Sequence, residues 1–510
     1  MRNFIIIKKE NMLILLILAL AAFLRLFRLG HQSLWIDEIN AVILAGKNIF
    51  KILFTGDTTP PFIYLVNHFW QKFGNSDFMV RFPSVIFGVL SIYTTYKLAK
   101  IFFGIKEALL SSFLMSISLY HVMYSQEAAR PYTAFLLFSL LSLYCLYQML
   151  NTNQRKYWLG FIVFNILNLY THNFSIFVLA EEIIIWIIFI LWSVFKKSNN
   201  YRWGINKMFK FFLAMIGILI LSLPISMQFL AATRSELAGG RVVLNPIYYK
   251  NLLCRYGAGN GLAFFIYNFF FITGLLTFFK NDKRKEIFLL ILWLIFPFFI
   301  LSFLDLKHFF HIRYVIFTYP AYVIIVSKGI TNFLDLDMEL LKPSKNVPLI
   351  LIVIIFLGLS FTPLRLYYQM PARLTDWRGA ADYIYNTAED GAKVITQSCH
   401  DTLIKYYLAK RYNPKKIEVM PHNNNIYYFA DILSNNYNQE LYCVAYGEDI
   451  GYGTDEFSML AERYFKHKAV FFSPVYLELV KRELIDGDGN SWLDIGVRGY
   501  RLVVYFNNKD

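Results

Sequence analysis

Eleven apolar runs, each near the ~20 residues that a helix needs to cross hydrocarbon, fill the first 365 positions and leave a bundle of membrane helices as the expected architecture. They cover 12–29, 80–103, 107–124, 131–150, 157–171, 174–195, 208–231, 261–279, 287–304, 314–330 and 348–362. Only Thr171-His172-Asn173 separates the fifth from the sixth. Charged residues make up 17% of the chain, too few for a soluble protein of this size. The first run has a positive flank but no small-residue cleavage site, so it reads as a retained span and not a removed signal peptide.

Basic residues set the expected orientation. Arg2, Lys8 and Lys9 precede the first run, and Lys97, Lys100 and Lys106, Arg155 and Lys156, the 196–210 cluster, Lys280 to Lys285, and Lys342 and Lys345 fall on the same side of an eleven-span bundle. That side is expected to be the cytoplasm. The net charge of +15 is therefore accounted for by loops, and nucleic acid is not an expected partner. The opposite side receives the long first loop 30–79, the turn at 126–131, the loop 232–260 and everything after the last run.

From 366 to 510 the composition changes, and short β-rich runs alternate with helical ones. Strands are expected at 393–397, 417–420, 441–446, 469–472 and 502–506, and helices at 401–410, 427–434 and 456–465, which suggests an extracytoplasmic α/β domain. No glycine-rich phosphate loop opens any of its helices. The four cysteines include no CxxC pair, which argues against a thiolate zinc site; Cys399 and Cys443 share this region and are a candidate disulfide. Asp376-Trp377-Arg378 is a candidate contact between the region and the membrane part.

The polar residues that interrupt the membrane part are the candidates for chemistry, because an ionisable side chain at a membrane surface is costly to hold without a purpose. Asp37 and Glu38 follow the first run within Ser33-Leu34-Trp35-Ile36-Asp37-Glu38; the plain alternative is that one of them caps a short interfacial helix. Thr58-Thr59-Pro60-Pro61-Phe62-Ile63-Tyr64 leads into an aromatic stretch, 64–73, too short to span and suited to lie along the surface. Glu127 and Arg130 lie in Ser125-Gln126-Glu127-Ala128-Ala129-Arg130-Pro131-Tyr132, where a local ion pair is the plain alternative.

Taken in order, Trp35-Ile36-Asp37-Glu38, Pro60-Pro61-Phe62-Ile63-Tyr64, Phe73-Gly74 with Val80-Arg81-Phe82-Pro83-Ser84, and the 125–132 motif resemble the GT-C membrane glycosyltransferases of the protein O-mannosyltransferase and aminoarabinose transferase superfamily. Arg313-Tyr314 leading to Pro320 adds to the likeness. Two departures stand out. Thr59 occupies a position where many relatives carry a basic residue, and Ala128-Ala129 replaces a single alanine, which in a helix turns Arg130 by about 100° relative to Glu127.

The resemblance implies an inverting transfer of sugar from a polyprenyl-phosphate donor to an acceptor at the outer face of the cytoplasmic membrane. Asp37 is then the expected base for the acceptor hydroxyl, with Glu38 assisting. The lipid phosphate calls for positive charge, for which Arg81, Arg255, Lys307 and Arg313 are candidates, each with lipid-headgroup anchoring as its alternative. Glu127, Arg130, Tyr64 and His172 complete the expected substrate contacts. No cofactor is expected, with a divalent cation on the two carboxylates or on His308 and His311 as the alternative. The acceptor's class, whether glycan, lipid or protein, is open. The competing class is a transporter or flippase for a lipid-linked glycan, which normally places its polar groups at midplane in repeated halves; no repeat is visible here.

Overall fold

In the computed structural model the described residues are 2–54, 57, 59–152, 154–195, 201–237, 246–259, 261–279, 283–303, 311–336, 347–370, 376–397, 401–411, 415–422, 440–447, 464–465, 467–471 and 501–506. Helix α1 (Arg2–Leu26) leads to three short helices, α2 (Ile36–Ala45), α3 (Ile49–Leu53) and α4 (Phe62–Trp70). Further helices follow, most of them long: α5 (Asp77–Phe102), α6 (Ile105–Ile117), α7 (Leu119–Ser125), α8 (Tyr132–Thr152), α9 (Arg155–Leu169), α10 (Ser175–Phe195), α11 (Tyr201–Leu237), α12 (Pro246–Tyr256), α13 (Leu262–Leu275), α14 (Arg284–Leu301), α15 (Tyr319–Leu336) and α16 (Val347–Gln369).

Every apolar run from the sequence is helical, which makes this a multi-pass membrane protein. Among the described residues six helices are long and apolar enough to cross a bilayer on their own. The third run makes a seventh if α6 and α7, bent by 63° at Ser118, count as one span. Eleven spans is thus a finer count than length and composition alone support; α9, with 15 residues, is too short to qualify. The bend has a local cause: the Ser118 backbone is extended, and its hydroxyl accepts the His121 N–H to restart the helix.

Helices α13 and α15 touch backbone to backbone. A Cβ added at Gly274 would sit 2.0 Å from the Ile325 carbonyl oxygen, and one at Gly329 would sit 1.8 Å from that of Phe270. Small residues allow this approach where apolar solvent offers no hydrophobic drive between helices. Arg25, at the end of α1, is fully buried and donates to the Ala21, Met115 and Ser116 carbonyls and to Ser125 Oγ, so its charge is spread over the α6–α7 bend.

After α16, which continues past position 366, come α17 (Trp377–Thr387), β1 (Lys393–Gln397), α18 (Asp401–Ala409), β2 (Glu418–His422), β3 (Leu441–Gly447), β4 (His467–Phe471) and β5 (Arg501–Phe506). The strands form one sheet in the order β2-β1-β3-β5-β4. The first three are parallel, and β5 runs antiparallel to both β3 and β4. The five strand runs read from the sequence are all present within a residue or two of their expected ends. Cys443 is a buried free thiol on β3, whereas Cys399 and the expected helix 427–434 lie outside the described residues.

Gly329→Val should force α13 and α15 apart and destabilise the protein by about 3 kcal/mol, the upper range for overpacking. Thermal unfolding in detergent checks it, with Gly217→Ala, whose added Cβ meets nothing within 4 Å, as the silent control.

Candidate active site

Between α1 and α2 the path of the chain is fixed largely through its backbone, with side-chain support such as Gln32 Nε2 on the Tyr367 carbonyl. Each carbonyl from Leu29 to Ser33 accepts a hydrogen bond from one of two guanidinium groups. Arg81, on α5, takes those of Leu29, Gln32 and Ser33; Arg378, on α17, takes those of Gly30, His31 and Gln32. This connection delivers the chain to the N-terminus of α2.

Asp37 and Glu38 sit in the first turn of α2, where a helix dipole favours carboxylates. Consecutive positions point about 100° apart, and the two side chains meet different fates. Glu38 is 1% exposed. Its Oε1 accepts from Arg81 Nε (3.0 Å) and the Ala128 N–H (2.6 Å), and its Oε2 from Arg81 Nη2 (2.8 Å) and the Trp35 N–H (3.2 Å). Two donors on each oxygen use the lone pairs of a carboxylate. This geometry does not fit the expectation that Glu38 assists catalysis, nor that Arg81 holds the lipid phosphate. Both are buried, and each is the other's partner in a bidentate pair.

Asp37 turns the other way and keeps a third of its side chain exposed. Its Oδ2 lies 3.4 Å from Arg130 Nη2. Arg130 also donates to the Tyr132 hydroxyl at 3.0 Å and lies over the rings of Trp35 and Tyr132. Arg313 lies over the same two rings, at 5.5 and 5.7 Å, and over Tyr314 at 5.6 Å. Two guanidiniums thus share one aromatic seat beside the exposed carboxylate.

The inserted alanine does not displace Arg130 as a helical reading of the motif implies. Residues 126–131 form a turn, and Ala129 takes a left-handed conformation (φ 52°) that absorbs the extra residue. Glu127 is buried and its carbonyl accepts from Ser84 Oγ at 2.6 Å.

His172, in the turn between α9 and α10, stacks on Phe135 with ring centroids 4.7 Å apart, and its Nδ1 accepts the Phe174 N–H at 3.0 Å. Burial, aided by Arg130 and Arg313, pushes its pKa down to about 3, so the ring is neutral. Tyr64 is fully buried and donates to Asp57 Oδ2 at 3.0 Å. Arg255, on α12, lies farther off, reached from Tyr132 through the rings of Tyr124 and Tyr120. Lys307 and His308 lie outside the described residues. Among the described residues no three His, Cys, Asp or Glu side chains converge as metal ligands.

Sequence reading missed Trp35, Tyr132 and Tyr314 as the seat for the guanidiniums, and Asp57 as the partner of Tyr64. The aromatic residues were visible inside the motifs already singled out; Asp57 carried no signal beyond its place three residues before Pro60.

Residues 57–227 match the sequence model of the dolichyl-phosphate-mannose-protein mannosyltransferase family. The fold is similar to that of apo ArnT from Cupriavidus metallidurans, with a TM-score of 0.55 over 98% of each chain at 13% identity. This chain has the GT-C fold of the protein mannosyltransferase and ArnT type. Two further solved structures share the GT-C likeness. ArnT from the same organism bound to undecaprenyl phosphate has a TM-score of 0.52 over 97% of each chain at 12% identity. The archaeal oligosaccharyltransferase AglB from Archaeoglobus fulgidus, in complex with an inhibitory peptide and a dolichol-phosphate, has a TM-score of 0.52 at 13% identity, covering 95% of this chain and 75% of AglB. An uncharacterized protein of Aquifex aeolicus (strain VF5) is 26% identical over 374 residues, 71% of each chain.

Two expectations follow from this geometry. Glu38→Gln leaves the Arg81 charge buried without its counter-charge, and thermal unfolding in detergent should show a loss of about 3 kcal/mol. His172 has a folded pKa below its ordinary 6.5, so the stability it supports is present above pH 6.5 and is lost as pH falls toward its folded value. Replacing it, as His172→Phe, should flatten part of the fall in melting temperature below pH 6.5.

Proposed function

We propose that this protein is an inverting glycosyltransferase that moves a sugar from a polyprenyl-phosphate donor to an acceptor at the outer face of the cytoplasmic membrane. The single observation that carries the reading is the exposed Asp37 carboxylate beside Arg130 and Arg313 on one aromatic seat. Asp37 hydrogen-bonds the acceptor hydroxyl and takes its proton as the oxygen attacks the anomeric carbon. The bond from that carbon to the phosphate oxygen breaks with its electron pair, and the departing lipid phosphate gathers negative charge.

Arg130 and Arg313 receive that charge through planar, bidentate-capable groups in a poorly solvated site. A donor phosphate between them also draws Arg130 away from Asp37, which frees the carboxylate oxygen for the acceptor. Attack from the Asp37 side with departure toward the guanidiniums inverts the anomeric centre. The two arginines supply the positive charge that a metal would otherwise provide, so the reaction is proposed to need no cofactor. The lipid-bound forms of the GT-C neighbours support a lipid phosphate as the carrier. The basic loops read from the sequence support placing α2 and the sheet outside.

The test offers purified protein in nanodiscs a panel of polyprenyl-phosphate sugars together with membrane extract as the acceptor source. Asp37→Asn should lower transfer by about 10²–10⁴-fold with donor binding retained. Arg313→Met should weaken binding of the bare lipid phosphate, and EDTA should leave transfer intact. Unchanged transfer by Asp37→Asn would remove it as the base; movement of an intact lipid-linked glycan across the bilayer, with no transfer, would put a flippase in its place.

A further inference from the structure

The extramembrane region after α16 does more than sit beside the bundle. Two of its side chains reach into the connection that leads to the candidate base, and a third joins them on Asp77. Arg378 donates to three carbonyls of that connection and pairs with Asp77 at the start of α5; its own N–H donates to Ser33 Oγ at 3.1 Å. Tyr407, on α18, accepts the Leu34 N–H at 2.6 Å and donates to Asp77 Oδ2 at 3.0 Å. Lys410, just past α18, donates to Asp77 Oδ1 at 2.9 Å and to the Asn75 carbonyl at 2.8 Å.

Asp77 is therefore a hub. Two cations and a hydroxyl from the C-terminal region converge on one carboxylate that is 9% exposed. The hub lies one turn before Arg81, whose guanidinium holds the other carbonyls of the connection and Glu38. Leu34 N–H is held by Tyr407 and Trp35 N–H by Glu38, so the two amides that precede α2 are fixed by two different elements. Asp37 is two residues further on.

We infer that Arg378, Tyr407 and Lys410 are positioning residues for the transfer site, and that the C-terminal region sets where Asp37 stands. The inference rests on the reading of Asp37 as the base. It needs no contact between these residues and substrate. Arg378 and Tyr407 act on the backbone of 30–34, which lies outside any helix, and Lys410 acts on it through Asp77. An active-site carboxylate displaced by as little as an ångström loses much of its effect on the reacting atom.

Tyr407→Phe removes one oxygen and keeps the ring, which makes it the discriminating variant. Hydrogen–deuterium exchange on full-length protein in nanodiscs should show faster exchange in peptides covering 29–38, with other segments unchanged. Transfer kinetics should show kcat reduced by about tenfold, the scale of one lost buried hydrogen bond, while KM for the lipid donor stays at the wild-type value. Lys405→Ala, which breaks only the exposed pair with Asp401 on the same helix, should change neither readout.

Wild-type exchange in 29–38 together with wild-type kcat would overturn the inference. So would a loss of activity that accompanies faster exchange everywhere, because that is global destabilisation. Should the wild-type protein transfer no sugar at all, the glycosyltransfer reading fails separately, and the exchange pattern alone decides whether these side chains hold the connection.

Discussion

The buried pair between Glu38 and Arg81 is the contact on which the rest of the site depends. Neither charge has water to fall back on, so both are satisfied by protein, and what satisfies them is mostly backbone. Glu38 gathers amides from its own helix start and from the 126–131 turn, while Arg81 gathers carbonyls from the connection before α2. One ion pair thus ties together α5, the start of α2 and the turn that carries Arg130. Those are three segments far apart in sequence that must meet for Asp37 and Arg130 to meet.

Two adjacent carboxylates divide the labour because a helix turns them apart. Glu38 is spent on architecture and Asp37 is left partly exposed. The same division appears among the arginines: Arg81 and Arg378 are occupied with carbonyls, whereas Arg130 and Arg313 lie on aromatic faces, Arg130 giving Nη2 to Tyr132 and Asp37 as well. Among the described residues, neither ring-seated guanidinium is tied to backbone carbonyls as Arg81 and Arg378 are, and this distinguishes the two pairs chemically.

Much of this was legible in the sequence. The apolar runs located the helices, the β-rich runs located all five strands, and the ordered motifs brought Asp37, Arg130 and Arg313 into one candidate site. The division between Asp37 and Glu38 was not legible, because it depends on Arg81 and Ala128, 43 and 90 residues away. Arg81 looked like a phosphate ligand for the same reason that it makes a good buried partner: its fork is planar and always charged. The position of Arg130 does not follow from its spacing, because the motif is a turn with a left-handed Ala129 and not a helix. Arg378 drew notice only as a contact near a boundary; its partners lie more than 300 residues back.

The glycine contacts between α13 and α15 bear on traffic through the membrane plane. At Gly274 and Gly329 the two backbones are too close for even a methyl group to fit between them. A hydrocarbon chain is wider than a methyl group, so this seam is shut to a lipid tail along that stretch. On the proposed function, a lipid carrier whose phosphate docks near Arg313, six residues before α15, would have to reach it from another quarter of the bundle.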